Sequence, residues 1–262
     1  MSFINRPSVS VVMATYNGIP FLTAQLKSVL AELLPTDELI IVDDGSADGT
    51  LELLDSLKPL NSVVILVVRN LVNLGVFATF ERGLLLSTKE LIFLCDQDDV
   101  WLPGKRSAIV SAFESDSRTL IVVSDAQLID ASGGVTAGSF MATRGGFRGD
   151  ILSTLIRNRY LGCAMALRRE LLTAALPIPR AVPMHDMWLG ALGSILGRVN
   201  YISDPLLQYR RHEGNVSPSR RQGLSRMLRW RLALLLALAG RLCKLALSRR
   251  IAPTIPASTR RP

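Results

Sequence analysis

Three carboxylates fall within four positions at Asp96, Asp98 and Asp99, directly after the apolar run Leu91–Cys95. Acids this close repel one another, and each loses hydration if buried. A hard divalent cation, Mg2+ or Mn2+, offsets both effects. It prefers oxygen ligands and is often shared between one or two carboxylates and substrate phosphates. The same acids could instead cap a helix starting near Pro103, where the helix dipole favours negative charge. A second pair, Asp43-Asp44, precedes Gly45-Ser46. A carboxylate there could accept hydrogen bonds from a base or a ribose hydroxyl. Alternatively the stretch is a strand-to-helix turn using Gly45, Asp48 and Gly49 for backbone reasons. His185-Asp186 sits among Met184, Met187 and Trp188. An acid in partly apolar surroundings has its pKa raised towards the range useful for a general base. The alternative is a helix cap at Asp186 with His185 at the surface. Tyr209–Ser217, YRRHEGNVS, offers Arg210, Arg211 and His212 to a diphosphate or its metal, or is a basic surface loop. Neither GxGxxG nor GxxxxGK[ST] occurs, so dinucleotide and P-loop chemistry find no support.

Four apolar, β-branched runs precede or contain these groups. They are Ser8–Met13, Glu38–Asp44, Ser62–Val68 and Leu91–Cys95. Between them lie helical patterns, such as Leu22, Leu26, Val29, Leu30 and Leu33 on one face. Strands alternating with helices predict βαβ units and a mainly parallel sheet. Ligands of such sheets bind beyond the carboxyl ends of the strands. Thr15-Tyr16-Asn17, Asp43-Asp44 and Asp96–Asp99 all stand there. Further on, helices are expected at 103–113, 150–158, 169–176 and 184–196, and strands at 120–124 and 162–167. The glycine-rich stretch SGGVTAGSFMATRGGFRG reads as a long mobile loop over the site.

The chain has 262 residues, 48% of them hydrophobic, enough for a sizeable core and too apolar for disorder. No secretory leader pattern opens it. Its three cysteines, Cys95, Cys163 and Cys243, are odd in number and far apart, which fits a reducing compartment. From Gly214 onward there are eleven Lys or Arg and no Asp or Glu, so the net +8 leaves about −3 for the first 213 residues. The basic character belongs to the tail and predicts no nucleic-acid partner.

The segments SVVMATYNG, IIVDDGSADGT, NLGV, LCDQDDVWLPGK, LGCAMALRREL, MHDMWLGAL and YRRHEGNVS follow in that order. Together, across about Pro7 to Ser217, they resemble the family 2 glycosyltransferases with the GT-A fold, most of all the bacterial branch that uses dTDP-L-rhamnose. The resemblance implies an α/β Rossmann-like sheet flanked by helices, and metal-dependent, inverting sugar transfer from a nucleotide diphosphate. It implies a nucleotide-sugar half at 1–100 and an acceptor half at 101–218. Thr15, Tyr16 and Asn17 would line the base pocket and Asp44 would read the base. Asp96 and Asp98 would form the DxD pair, with Asp96 towards the ribose, Asp98 nearest the metal and His212 facing metal or diphosphate. Asp186 would be the catalytic base. Asp99, Trp101, Lys105, Gly162, Cys163, His185, Trp188, Arg210 and Arg211 would support the site or the acceptor. Three positions depart from the family pattern: Thr79 replaces an Asn, Met187-Trp188 replace two aromatics, and Glu213 separates His212 from Gly214. The donor implied is dTDP-rhamnose, or else a UDP-sugar, and the acceptor a saccharide or lipid-linked saccharide. A glycoside hydrolase also needs two carboxylates, but would leave VDDGSADGT unexplained. A non-catalytic sugar-nucleotide-binding protein would not need Asp98 and Asp186 together.

The tail from 219 to 250 predicts a basic, leucine-rich helix. Its uncharged run, Leu232–Gly240, is far short of the roughly 20 residues of a membrane span. It reads as a surface helix on an anionic membrane, peripheral on the cytoplasmic face, or as a helix packed on the domain. Residues 251–262 read as a disordered end.

Overall fold

The computed structural model describes residues 6–57, 62–215 and 223–251. The expected disordered end, but for Ile251, and the Val216-Ser217 part of the last motif lie outside the described residues.

The first half is built as the periodicity requires. Strands β1 (Val9–Thr15), β2 (Glu38–Asp43), β3 (Val64–Arg69) and β4 (Leu91–Asp96) lie in the order β3-β2-β1-β4, all parallel. Helices α1 (Ile19–Glu32), α2 (Thr50–Leu57) and α3 (Val76–Leu86) connect them. Strands β1 and β2 bury nearly every residue, as central strands covered on both faces must. Parallel pairing in register ends β1, β2 and β4 on one edge, since Thr15 pairs with Asp43 and Ala14 with Asp96. The three polar strand ends thereby meet.

Beyond β4 the sheet turns mixed rather than parallel. After β5 (Val100–Trp101) and helix α4 (Lys105–Glu114) come β6 (Thr119–Ile129) and β7 (Val135–Ala137). Helices α5 (Phe140–Thr143) and α6 (Ile151–Ile156) and a 3-10 turn at Gly162–Ala164 lead to β8 (Met165–Arg168). Helices α7 (Glu170–Ala175) and α8 (His185–Leu196), then β9 (Arg198–Arg210), complete the domain. Strand β8 inserts antiparallel between β4 and β6, whereas β6 and β9 run parallel. The nine-stranded sheet is therefore half parallel and half mixed. A buried bidentate ion pair between Arg106 and Asp37 (2.6 and 2.9 Å) ties the start of α4 to the loop before β2.

The glycine-rich stretch is not a loop over the site. Asp125 accepts from the backbone N–H of Met141 (3.0 Å) and from the Ser139 hydroxyl, Ser139 caps α5, and Phe140 and Met141 are buried. The expected strand at 162–167 gives its first three residues to the 3-10 turn. Helix α9 (Leu224–Ile251) is a single 28-residue element that packs on the core through Leu234 and Leu238.

Candidate active site

A cavity of about 430 Å3 opens where the carboxyl ends of β1 and β4 face the start of α8. Its wall includes Thr15, Tyr16, Asp44, Asp96, Asp98, Gly162, His185 and Asp186, residues far apart in the sequence.

On the β1–β2 side most polar atoms hold one another. Asp43 accepts from the Thr15 hydroxyl (3.1 Å), the backbone N–H of Gly45 (3.1 Å) and that of Ser46 (2.9 Å). Asp44 accepts from Asn70 Nδ2 (2.7 Å) and the backbone N–H of Leu74 (2.9 Å) and Gly75 (2.8 Å). Its carboxylate thus pins the 70–75 segment that forms one lip of the cavity. Asn17 does not line the cavity. In the left-handed region (φ 48°), it donates its N–H to Ser46 Oγ (2.9 Å) and accepts from the N–H of Ala47 (3.0 Å). Gln97, missed in the sequence, accepts from the N–H of Tyr16 (2.8 Å) and donates to its carbonyl (3.0 Å). This two-point clip leaves the Tyr16 side chain 47% exposed over the cavity.

The acidic turn is fixed from below by β9. Arg210 donates its backbone N–H to Asp99 Oδ1 (3.0 Å) and its Nε to the Asp98 carbonyl (2.9 Å), while Nη1 reaches the carbonyls of Asp130 and Ala131. Arg210 is a buried scaffold rather than a diphosphate ligand, and Arg211 turns to the Tyr209 hydroxyl (3.0 Å). The YRRH run is not a surface loop: Tyr209 and Arg210 end β9. His212 sits 2.7 Å from Asp98 Oδ2 through Nε2, its ring against Phe21. The N–H of Gly214 donates to its Nδ1 (3.1 Å), so Nε2 carries the proton and donates to Asp98. Asn215 Nδ2 donates to the same oxygen (3.1 Å). Burial, then the charges of Asp99, Asp98 and Asp186, push the Asp96 carboxyl well above the usual carboxylate range. Burial and the Asp98 charge raise Asp99 to about 7, and its Oδ2 has no hydrogen-bond partner among the described residues.

Asp186 is in the first turn of α8, where the helix dipole favours an anion. Burial nevertheless raises its pKa to about 6. Its Oδ1 accepts from Asn158 Nδ2 (3.2 Å) and the N–H of Met187 (2.5 Å). His185 is not at the surface. It stacks on Phe80 (centroids 4.4 Å) and meets Phe77 edge-on, and burial drops its pKa to about 4. It is a neutral imidazole, with neither ring nitrogen bonded among the described residues. Gly162 is small for a reason: a Cβ there would stand 3.1 Å from His185 Nε2.

The remaining expected residues lie behind the wall. Lys105 is buried, donates to the Cys163 carbonyl (2.9 Å) and packs over the Trp101 ring, and burial lowers its pKa. Trp188 is fully buried and donates to the Ala175 carbonyl (2.9 Å), away from the cavity. One group of potential ligand atoms, those of Asp96, Asp99 and Cys163, lies within 4.8 Å of one another. The Cys163 thiol is buried and pushed well up in pKa, which makes it a poor ligand for a hard cation.

Residues 10–174 match the model of glycosyl transferase family 2, and the chain belongs to that family. An uncharacterized glycosyltransferase of Nostoc sp. is 27% identical over 225 residues, covering 79% of this chain and 66% of its own. The putative colanic acid biosynthesis glycosyl transferase WcaA of Escherichia coli is 32% identical over 107 residues, 41% of this chain and 38% of its own. The chain thus spans about two thirds of the first relative and much less of the second. Among solved structures, S. aureus TarS in complex with UDP-GlcNAc superposes with a TM-score of 0.67 at 19% identity, covering 89% of this chain and 69% of that one. A mannosyltransferase of Pyrobaculum calidifontis with GDP-Man and Mn2+ gives 0.59 at 18% identity, covering 95% and 77%. The fold is GT-A.

Proposed function

We propose that this family 2 glycosyltransferase inverts the anomeric centre of a nucleotide-sugar as it moves the sugar onto a saccharide or lipid-linked acceptor. The setting is cell-surface polysaccharide synthesis of the O-antigen kind, at the cytoplasmic face of the membrane. The observation that carries the reading is Asp186. It is buried, poised at about 6, and shares one cavity wall with Asp44, Asp96 and Asp98. Deprotonated at neutral pH, it takes the proton of the acceptor hydroxyl as that oxygen attacks the anomeric carbon. The nucleoside diphosphate leaves, and one base suffices because inversion needs no covalent intermediate. Positioned bases typically contribute about 10²–10⁴-fold.

The donor set fits a hard cation. Asp98 and Asp96 would supply oxygens, while His212, expected as a ligand, has both ring nitrogens engaged and would instead orient Asp98 through its Nε2–H. Burial first, and neighbouring carboxylates second, raise the pKa of Asp96 and Asp99, and a cation would relieve that crowding. Mg2+ or Mn2+ held there would stabilise the leaving diphosphate as a Lewis acid. Tyr16, exposed over the cavity beside Thr15, is the ring on which a base would stack, and Asp44, whose carboxylate also holds the 70–75 lip, would read it.

For the donor we favour dTDP-L-rhamnose, on the motif set alone, with a UDP-hexose or UDP-N-acetylhexosamine second. The solved neighbours were captured with UDP-GlcNAc and GDP-Man. Release of nucleoside diphosphate from dTDP-rhamnose, UDP-sugars and GDP-mannose, with Mg2+ or Mn2+ and with EDTA, decides this. Faster release from dTDP-rhamnose, lost with EDTA, is expected. Release confined to a UDP- or GDP-sugar overturns the rhamnose assignment, and unchanged release in EDTA overturns the metal.

A further inference from the structure

Helix α9 is apolar on two sides. The inner side is spent on the domain, where Leu234 and Leu238 are buried and Ala237, Leu242 and Leu245 pack against the core. A helix so placed is normally polar outward. Here the outer side carries Leu228, Leu232, Leu235, Leu236 and Leu247, which are 59, 58, 44, 64 and 57% exposed. At about 100° per residue these five fall in an arc of about 120°, centred about 140° around the helix from Leu234 and Leu238. Single exposed leucines are ordinary, but a stripe running some 30 Å along one helix is not. Arg229 and Lys244, both exposed, border the stripe.

Charge selects the occupant. From Gly214 onward the chain has eleven basic residues and no acid. A second copy laid on this face would set cationic helices against each other. An anionic lipid surface satisfies both features at once, with leucines in the headgroup–acyl boundary and cations at the phosphates. No helix among the described residues is long and apolar enough to cross a membrane, so the contact lies in the interface plane.

We propose that the outer face of α9 is a docking surface for an anionic membrane. This deepens the membrane part of the function proposed above, yet its test needs no catalysis. The full chain is sedimented with phosphatidylcholine vesicles with and without phosphatidylglycerol, at low and high salt. Binding is expected only with phosphatidylglycerol, and weaker in high salt. The triple variant Leu228→Asn, Leu232→Asn, Leu236→Asn should bind at least tenfold more weakly, and Arg229→Gln with Lys244→Gln about thirtyfold more weakly, on the usual worth of a buried leucine or a surface cation. Both variants change exposed side chains, so circular dichroism and Tm should stay as in wild type. Failure of wild type to sediment, or equal binding by the triple variant, overturns the proposal. So does a wild-type dimer in light scattering that the triple variant makes monomeric while vesicles recruit neither. Nucleotide release measured in solution on the same variants reports the transferase reading separately.

Discussion

At the scale of single residues, the site stores its chemistry as unfavourable burial. Asp186 has a folded pKa of about 6 against 3.8 for a free carboxyl. An acid with a raised folded pKa is most stabilising when protonated. Its contribution is therefore fully present below pH 3.8 and is lost as pH rises through about 6. The difference is worth at most about 3 kcal/mol. Asp186→Asn keeps an oxygen for the Asn158 and Met187 donors and removes the charge. It should therefore abolish transfer and raise Tm at pH 8, with little change at pH 4. A lower Tm at pH 8, or near wild-type turnover, would show that the carboxylate is not the strained base. In wild type, kcat should rise through about pH 6 and level off above it, because the ionised form accepts the proton. His185, neutral down to about pH 4, adds no limb of its own in that range. Much of this was legible as residue type: an acid among Met184, Met187 and Trp188 reads as desolvated. The partners were not. Asn158, Gln97 and Asn70 are lone amides in loops, and no spacing distinguishes them from solvated ones.

At the scale of elements, precision depends on how α8 is seated. Gly190 lies one turn beyond Asp186 on α8, and a Cβ there would fall 2.4–2.5 Å from three atoms of the Tyr160 ring. Tyr160 belongs to the segment that carries Asn158, and its hydroxyl donates to the Gly149 carbonyl (3.1 Å). Helix propensity alone makes Gly190→Ala favourable by about 1 kcal/mol. Overpacking against a ring held at both ends costs about 1–3 kcal/mol, and the clash wins. We expect Gly190→Ala to lower Tm and to lower kcat while the donor KM stays near wild type, since the Asp44 side is untouched. An equal loss in KM would mean the cavity as a whole had moved. The elements of the first half were readable because β1, β2 and β4, buried on both faces, are continuous apolar runs, and the edge strand β3 is β-branched as well. Strand β9 was not. Its RVNYISDPLLQYR carries Asp204-Pro205, and a proline cannot donate to a ladder. The structure accommodates it at a register shift, where Ser124 pairs with Ile202 but Asp125 with Pro205. Strand β5, two residues long, leaves no periodicity to read.

At the scale of the whole molecule, the question is whether α9 is an appendage or part of the domain. Helices α6 and α7 end with carbonyls that their own hydrogen bonds leave unpaired, at the negative pole of each dipole. Arg231 of α9 donates to the carbonyls of Leu155 and Ile156, at the end of α6. Arg241 donates to those of Ala174 (2.5 Å), Leu176 (2.9 Å) and Pro177 (2.6 Å), at the end of α7, and lies over the Trp188 ring. The sequence shows these arginines only as basic residues in a leucine-rich run, because their partners lie 64 to 76 residues away. Charged donors to carbonyls contribute about 1.5–3 kcal/mol each where they are withdrawn from water, and less where, as here, they are half-exposed. We therefore expect Arg231→Ala and Arg241→Ala each to cost about 1–2 kcal/mol, seen as a lower urea midpoint with unchanged slope. Ten positions apart on one helix, some 15 Å, the two losses should add. A single transition shifted by the double variant would make α9 part of the cooperative unit. Two transitions, with the first sensitive to both arginines, would make it a separately melting strap. In the first case the exposed leucines of α9 are carried by the same rigid body that holds Asp186, so a chain docked through α9 as proposed would present its cavity in one fixed orientation.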